Sequence, residues 1–155
     1  MTVNPTMNED TIKKLKNLES QYFTNTNSQA GKWLNYKLLK AEAGEITISV
    51  LVRNDMTNPN GHIHGGMIAM ICDEVCGLSF FSMGYETYYT TANIIVDFLY
   101  GAPEGTVLKA KGKVLRAGKR VANVECYIYD EQNNIIAHAT SNLINTEKKV
   151  FNLNA

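Results

Sequence analysis

The stretch His64-Gly65-Gly66-Met67-Ile68-Ala69-Met70-Ile71-Cys72-Asp73-Glu74-Val75-Cys76-Gly77-Leu78 decides how this chain is read. Apolar side chains lie nearly all round the helix it would form, the pattern of a core helix rather than a surface one. Asp73 sits in the middle of that segment, and an ionised carboxylate is rarely buried without a partner or a task. Just upstream, Asn58-Pro59-Asn60-Gly61-His62-Ile63-His64 makes a polar approach to the glycine pair. The N-terminus of a helix offers unpaired N–H groups to an anion or a polarised carbonyl. One element therefore supplies both an oxyanion-type donor and a candidate acid or base.

Outward from this helix, the remaining pattern defines its wrapping. Glu9 to Phe23 carries Ile12, Leu15, Leu18 and Tyr22 at helical spacing and predicts a short amphipathic helix. Residues 1–7 read as loose, and polar Thr24 to Gln29 as loop. Glu45 to Val52 alternates, with Ile46, Ile48, Val50 and Val52 on one face, which predicts a half-buried strand. The central helix should run from about Gly65 to Met83, with Gly84 as a left-handed cap. Four strand-like runs follow: Tyr88–Leu99, Thr106–Arg116, Arg120–Tyr129 and Ile135–Asn145. Turn residues separate them at Gly101–Gly105, Ala117–Lys119 and Asp130–Asn134. Such short turns imply antiparallel neighbours. The order predicts an α+β domain, an antiparallel sheet wrapped around one long apolar helix.

With 155 residues the chain is long enough for one substantial core. Fifteen basic residues balance fifteen acidic ones, so no global field invites nucleic acid or an anionic membrane. Cys72, Cys76 and Cys126 all sit in apolar stretches, which suits reduced, buried thiols in a cytoplasmic protein. The N-terminus lacks the form of a signal peptide, and the longest apolar stretch is too short and polar to span a bilayer.

Spacing along the helix carries a further implication. Gly65 and Asp73 are eight residues apart, roughly 12 Å at the helical rise. A catalytic carboxylate acts within hydrogen-bond reach of the reacting atoms or through one water. One subunit cannot easily bring its own helix N-terminus and its own Asp73 to the same carbonyl. Two copies packed antiparallel about a two-fold axis would, giving a homodimer with two equal sites.

These residues resemble the hotdog-fold acyl-CoA thioesterases of the PaaI and thioesterase superfamily member 2 type. That branch carries an Asn, then His-Gly-Gly six residues later, then an Asp nine residues after the His. Here these are Asn58, His64-Gly65-Gly66 and Asp73. Thr91 falls where the branch has a small hydroxyl residue on the strand after the helix, often Ser. Val96–Leu99 and Arg116–Lys119 also look like family segments, and the resemblance covers roughly residues 36–146. It divides the chain into an N-terminal extension, 1–35, and a thioesterase-like domain, 36–155.

The resemblance implies hydrolysis of acyl-CoA to a carboxylic acid and free CoA. Asp73 would activate the water or itself attack, and the Gly65 N–H would polarise the carbonyl. Asn58 would help hold the carbonyl or the water. Thr91 would position the water, and His64 would shape the loop or lend a polar contact. Gly66 with Arg116, Gly118, Lys119 and Arg120 would contact substrate, the hairpin gripping CoA phosphates unless it is a solvated tip. CoA is part of the substrate and no other cofactor is implied. The expected partners are a second copy at an interfacial site and, through further pairing, a dimer of dimers. Two rival readings stand beside it, a hotdog hydratase or dehydratase acting on acyl thioesters and a non-catalytic acyl-CoA sensor. Asp55–His62 has the wrong spacing for the hydratase signature, and Asp73 argues against a sensor.

Other residues have plainer readings. Glu74 points elsewhere on the helix and is taken as structural. Cys72 and Cys76 are core packing. His62 and His64 satisfy their loop, and with only His138 remaining no metal site is expected. Tyr85, Tyr88 and Tyr89 suit a core, an interface or an acyl-pocket wall equally.

Overall fold

The computed structural model describes residues 8–24 and 26–150. Two short helices, α1 (Glu9–Asn17) and α2 (Gln29–Leu34), precede strands β1 (Lys37–Glu42) and β2 (Glu45–Leu51). A 3-10 turn at Asn54–Met56 leads to the long helix α3 (Gly65–Phe81). Strands β3 (Thr87–Phe98), β4 (Val107–Ala117), β5 (Val121–Tyr129) and β6 (Ile135–Lys149) complete the chain. All six strands form one antiparallel sheet in the order β1-β2-β4-β5-β6-β3, with α3 packed across it. This is the expected α+β hotdog architecture.

Alternation builds the inner face of the sheet. Ile46, Ile48 and Val50 of β2, Leu108 and Ala110 of β4, and Val124, Cys126 and Ile128 of β5 are buried against α3. Lys109, Lys111 and Lys113 take the outer positions of β4, as their spacing predicts. Gly112 lets the helix come close: a Cβ there would lie 2.9 Å from the Val75 carbonyl oxygen and would collide with Ser79 Oγ. α3 ends at Phe81, two residues short of the expected Met83, with Ser82 as its C-cap and Gly84 left-handed just beyond at φ +73°. Cys72, Cys76 and Cys126 are free and buried together. Contact with Cys72 and Cys76, then burial, raises the Cys126 thiol pKa well above its ordinary value.

Several expectations need correction. The first helix stops at Asn17 rather than Phe23, because the chain turns at Ser20 with φ +65° and Tyr22 bridges to Lys37. β1 was absent from the sequence reading: its buried residues, Leu38 and Ala41, are three apart across a bulge, so period-two alternation is lost. α2 is too short for helical periodicity to register, and Ser28 caps it. The run of four adjacent strands is also wrong. β3 pairs with β6 at the sheet edge, and Gly101–Gly105 crosses the end of the sheet instead of closing a hairpin. That crossing is held by bonds from Ile63 N–H to Ala102 O (2.8 Å) and from Gly105 N–H to Val52 O (2.9 Å). The two later hairpins, β4–β5 and β5–β6, stand as read. Residues 1–7, read as loose, and Asn25 of the 24–29 loop lie outside the described residues.

The largest correction concerns α3 itself. It is not covered all round: Gly66 and Asp73 are exposed in the single chain, and Met70 and Gly77 between and beyond them are half-buried. These positions, 66, 70, 73 and 77, form one stripe along the helix. The apolar composition that suggested complete burial belongs to the other faces. No helix among the described residues is long and apolar enough to cross a membrane.

Candidate active site

A cleft of about 690 Å³ runs along the open side of α3, lined by Asp73, Glu74 and Gly77 of the helix and Tyr88, Thr90 and Thr91 of β3. Thr91 donates its hydroxyl proton to Asp73 Oδ1 at 2.6 Å, a short bond of the kind a charged acceptor makes. Thr91 is thus the β3 hydroxyl that meets Asp73. A sheet irregularity between Thr91 and Asn93 explains why it reaches the helix. Tyr89 and Thr91 face inward before the irregularity, whereas Ile94 and Val96 do so after it. Bulges commonly re-aim a side chain in this way.

The helix N-terminus forms a second group. His64 is the N-cap, and its Nδ1 accepts from the Gly66 N–H at 2.9 Å. The His64 carbonyl takes the N–H groups of Met67 (2.9 Å) and Ile68 (3.2 Å). Among the described residues the Gly65 N–H has no acceptor. Asn58 closes the preceding loop. Its Oδ1 accepts from Asn60 N–H (2.9 Å) and His62 N–H (3.3 Å), which leaves its amide Nδ2 without a partner among the described residues. Gly65 has little space beside it, since a Cβ would sit 3.3 Å from the Phe98 ring.

The structure therefore brings Asp73 to Thr91 and His64 to Gly66, with Asn58 in the loop that leads to them, but does not bring the two groups together within one chain. The hairpin of Arg116, Gly118, Lys119 and Arg120 forms a third. Arg116, Lys119 and Arg120 are exposed there. The tip is tied to the cleft wall by Tyr89, whose hydroxyl hydrogen-bonds the carbonyls of Gly118 (3.1 Å) and Lys119 (2.9 Å). Gly118 is needed for the turn, because a Cβ would lie 2.7 Å from the Val121 carbonyl. No three His, Cys, Asp or Glu side chains among the described residues are grouped to hold a metal ion.

Glu74 holds the opposite wall of the cleft. Its Oε2 accepts from Ser28 Oγ at 3.0 Å and its Oε1 from Tyr36 OH at 3.1 Å. Burial raises its pKa; the Ser28 and Tyr36 bonds act against that rise and the Asp73 charge adds to it. The sequence reading placed Glu74 away from the site. Adjacent helix residues do diverge by about 100°, but the cleft is wide enough to be lined by both.

Comparison with known proteins bears on this arrangement. The model of the thioesterase superfamily matches residues 60–137, half of the chain, from the loop before α3 to β6. The chain belongs to the thioesterase superfamily. It is accordingly a thioester hydrolase of the hotdog fold. A protein of Saccharolobus solfataricus named "putative esterase" is 27% identical over 131 residues, 84% of this chain and 89% of that one. The PaaI protein of Escherichia coli, from the phenylacetic acid degradation operon, superposes with a TM-score of 0.76 at 19% identity. That match covers 81% of this chain and 89% of the other. The smu.793 protein of Streptococcus mutans, solved with acetyl-CoA bound, matches with a TM-score of 0.70 at 23% identity, over 75% of this chain and 92% of its own. These two likenesses establish the shared fold.

Proposed function

We propose that this hydrolase acts on acyl-CoA thioesters, at sites that each draw on two copies of the chain. The observation that carries the reading is the separation just described. Asp73, oriented by Thr91, stands roughly 12 Å along the helix from the unpaired Gly65 N–H. Each half suits one side of a thioester carbonyl, an oxyanion donor on one and a carboxylate on the other. A second copy, antiparallel across the open stripe of α3, would bring its Gly65 opposite Asp73. β3 favours the same pairing. It is an edge strand of 12 residues with Ile95 and Phe98 exposed, and the chain just past it exposes Leu99 and Tyr100, the last at 62%. A long apolar edge of this kind is a template for another strand.

In the complete site the Gly65 N–H, with the free Asn58 amide, would take the carbonyl oxygen as it gains negative charge. Asp73 would either accept a proton from the attacking water or add to the carbonyl carbon itself. In both routes the C–S bond breaks, the CoA sulfur leaves as thiolate and is protonated, and water supplies the new carboxyl oxygen. The CoA-bound smu.793 protein supports the choice of thioester, as do the exposed cations of the Arg116–Arg120 hairpin, suited to phosphate. Two measurements test the reading together. Thiol release from acyl-CoA gives activity, and sedimentation gives the assembly state. Mixing Asn58→Ala with Asp73→Ala protein should restore part of the activity each lacks, because one site in a mixed dimer keeps both native groups. A fully active monomer would overturn the shared site.

A further inference from the structure

Glu74 does more in this geometry than pack. It follows Asp73 directly in sequence and lines the same cleft. Three elements converge on it: α3, which carries it; the start of α2, through Ser28; and β1, whose neighbour Tyr36 is fully buried. Every donor in this cluster is already spent. The Ser28 hydroxyl gives its proton to Glu74 and accepts the Gly31 N–H at 2.9 Å, and the Tyr36 hydroxyl gives its proton to Glu74. Space is reserved for the carboxylate as well, since any side chain at Gly31 would collide with Oε1. An ionised carboxylate offers about four lone-pair sites, and the described residues fill two. A clamp between α2 and α3 has no need of a charge, and desolvating one is costly. Glu74 and Asp73 both line the cleft, so acceptor capacity left over on Glu74 is within reach of a molecule held there.

We propose that Glu74 selects the acyl group, by accepting a hydrogen bond from a donor carried a few bonds from the thioester carbonyl. The substrate class is then hydroxyacyl-CoA rather than the saturated acyl-CoA of the same length. The placement sets the distance. Glu74 is the next residue to Asp73, so its partner on the substrate lies near the carbonyl and not at the end of a long chain. Discrimination follows from the chemistry of unpaired groups. A site built to bond a hydroxyl rejects the analogue that lacks it, whereas an apolar wall barely distinguishes the two. This inference rests on the acyl-CoA hydrolase reading, and its test separates the two.

Thiol release is measured for 3-hydroxybutyryl-CoA and butyryl-CoA, which differ by one hydroxyl, with wild type, Glu74→Gln and Ser28→Ala. The expected kcat/KM ratio favours the hydroxyacyl substrate by about tenfold or more in wild type. Glu74→Gln should bring that ratio close to one by replacing a charged acceptor with a weaker one. Ser28→Ala loosens the clamp but leaves the carboxylate, so it should lower both rates together and keep the ratio. A purely structural Glu74 would move both substrates equally in both variants, and that result overturns the proposal. So does a wild-type ratio of one with brisk turnover of both substrates, which leaves the hydrolase reading intact. No turnover of these or of any saturated or aromatic acyl-CoA would refute the acyl-CoA reading and this inference with it.

Discussion

Thr91→Val removes one hydroxyl and keeps the shape of a residue at home in a strand. What it deletes is the proton given to Asp73 Oδ1 at 2.6 Å. A hydrogen bond to a charged group contributes about 1.5–3 kcal/mol. The lower figure alone, about 1.5 kcal/mol, is close to tenfold in rate. Asp73→Asn keeps size and polarity and removes the base, at a cost of about 10²-fold or more in kcat. The two effects should not multiply. If Thr91 acts through Asp73, the double variant turns over at the rate of Asp73→Asn alone. If Thr91 acts independently, for instance by holding water itself, the double variant falls about tenfold further. The assay is thiol release from acyl-CoA for the four proteins, with Tm measured on the same samples. Both single variants should melt near wild type. Asp73 is exposed in the chain, so replacing it recovers no desolvation cost of the kind a buried carboxylate would carry. Wild-type kcat in Asp73→Asn would refute the role of the carboxylate, and a multiplicative double variant would refute the role given to Thr91.

Replacing both Lys119 and Arg120 with Ala should raise KM for acyl-CoA more than it lowers kcat, and the effect should shrink with added salt. An unchanged KM at low ionic strength would remove the hairpin from the site. Gly112→Ala drives a Cβ towards the Val75 carbonyl and Ser79, so it should cost about 1–3 kcal/mol of stability, read as a Tm lowered by several degrees. Glu74 has its pKa raised by folding, so its contribution is full below the unfolded carboxylate value, about 4.3, and is lost as pH rises through the folded value. The Tm of Glu74→Gln relative to wild type should therefore climb as pH rises above the ordinary carboxylate range; a difference independent of pH would contradict the shift.

How much of this was legible depends on what each signal measures. Alternation at Ile46, Ile48 and Val50 defines β2 because one face of that strand is buried and the other is not. The same test misses β1, where a bulge between Leu38 and Lys40 shifts the buried positions to three apart. Turn residues locate the ends of β3 and β4 correctly, yet say nothing of which strands pair. Gly101–Gly105 has the composition of a hairpin and serves as a crossing, because its backbone bonds go to Ile63 and Val52 and not to its flanking strands. Local sequence specifies that the chain turns. The partner of β3 is fixed by contacts with β6, about 50 residues away.

The site was legible for a different reason. Asp73 drew notice as a carboxylate in an apolar helix, and the premise of its burial fails in the single chain, where it is exposed on the stripe of Gly66, Met70 and Gly77. Composition along a helix counts side chains but does not say which faces are covered. Glu74, read as the structural member of the pair, is the half-buried one, and it needed Ser28 and Tyr36, 46 and 38 residues distant, to show it. Exposure of Asp73 also strengthens the case for a shared site. A carboxylate fully enclosed by its own chain has no room for the N–H of another. One held by Thr91 on an open helix face, beside glycines that let a second backbone approach, has that room. In the proposed reaction the Gly65 N–H, without an acceptor among the described residues, takes the carbonyl oxygen, and Asp73 acts on a water or on the carbon of that carbonyl. With the two fixed about 12 Å apart on a rigid helix, motion within one chain does not close the gap, and a second copy is the economical way to close it.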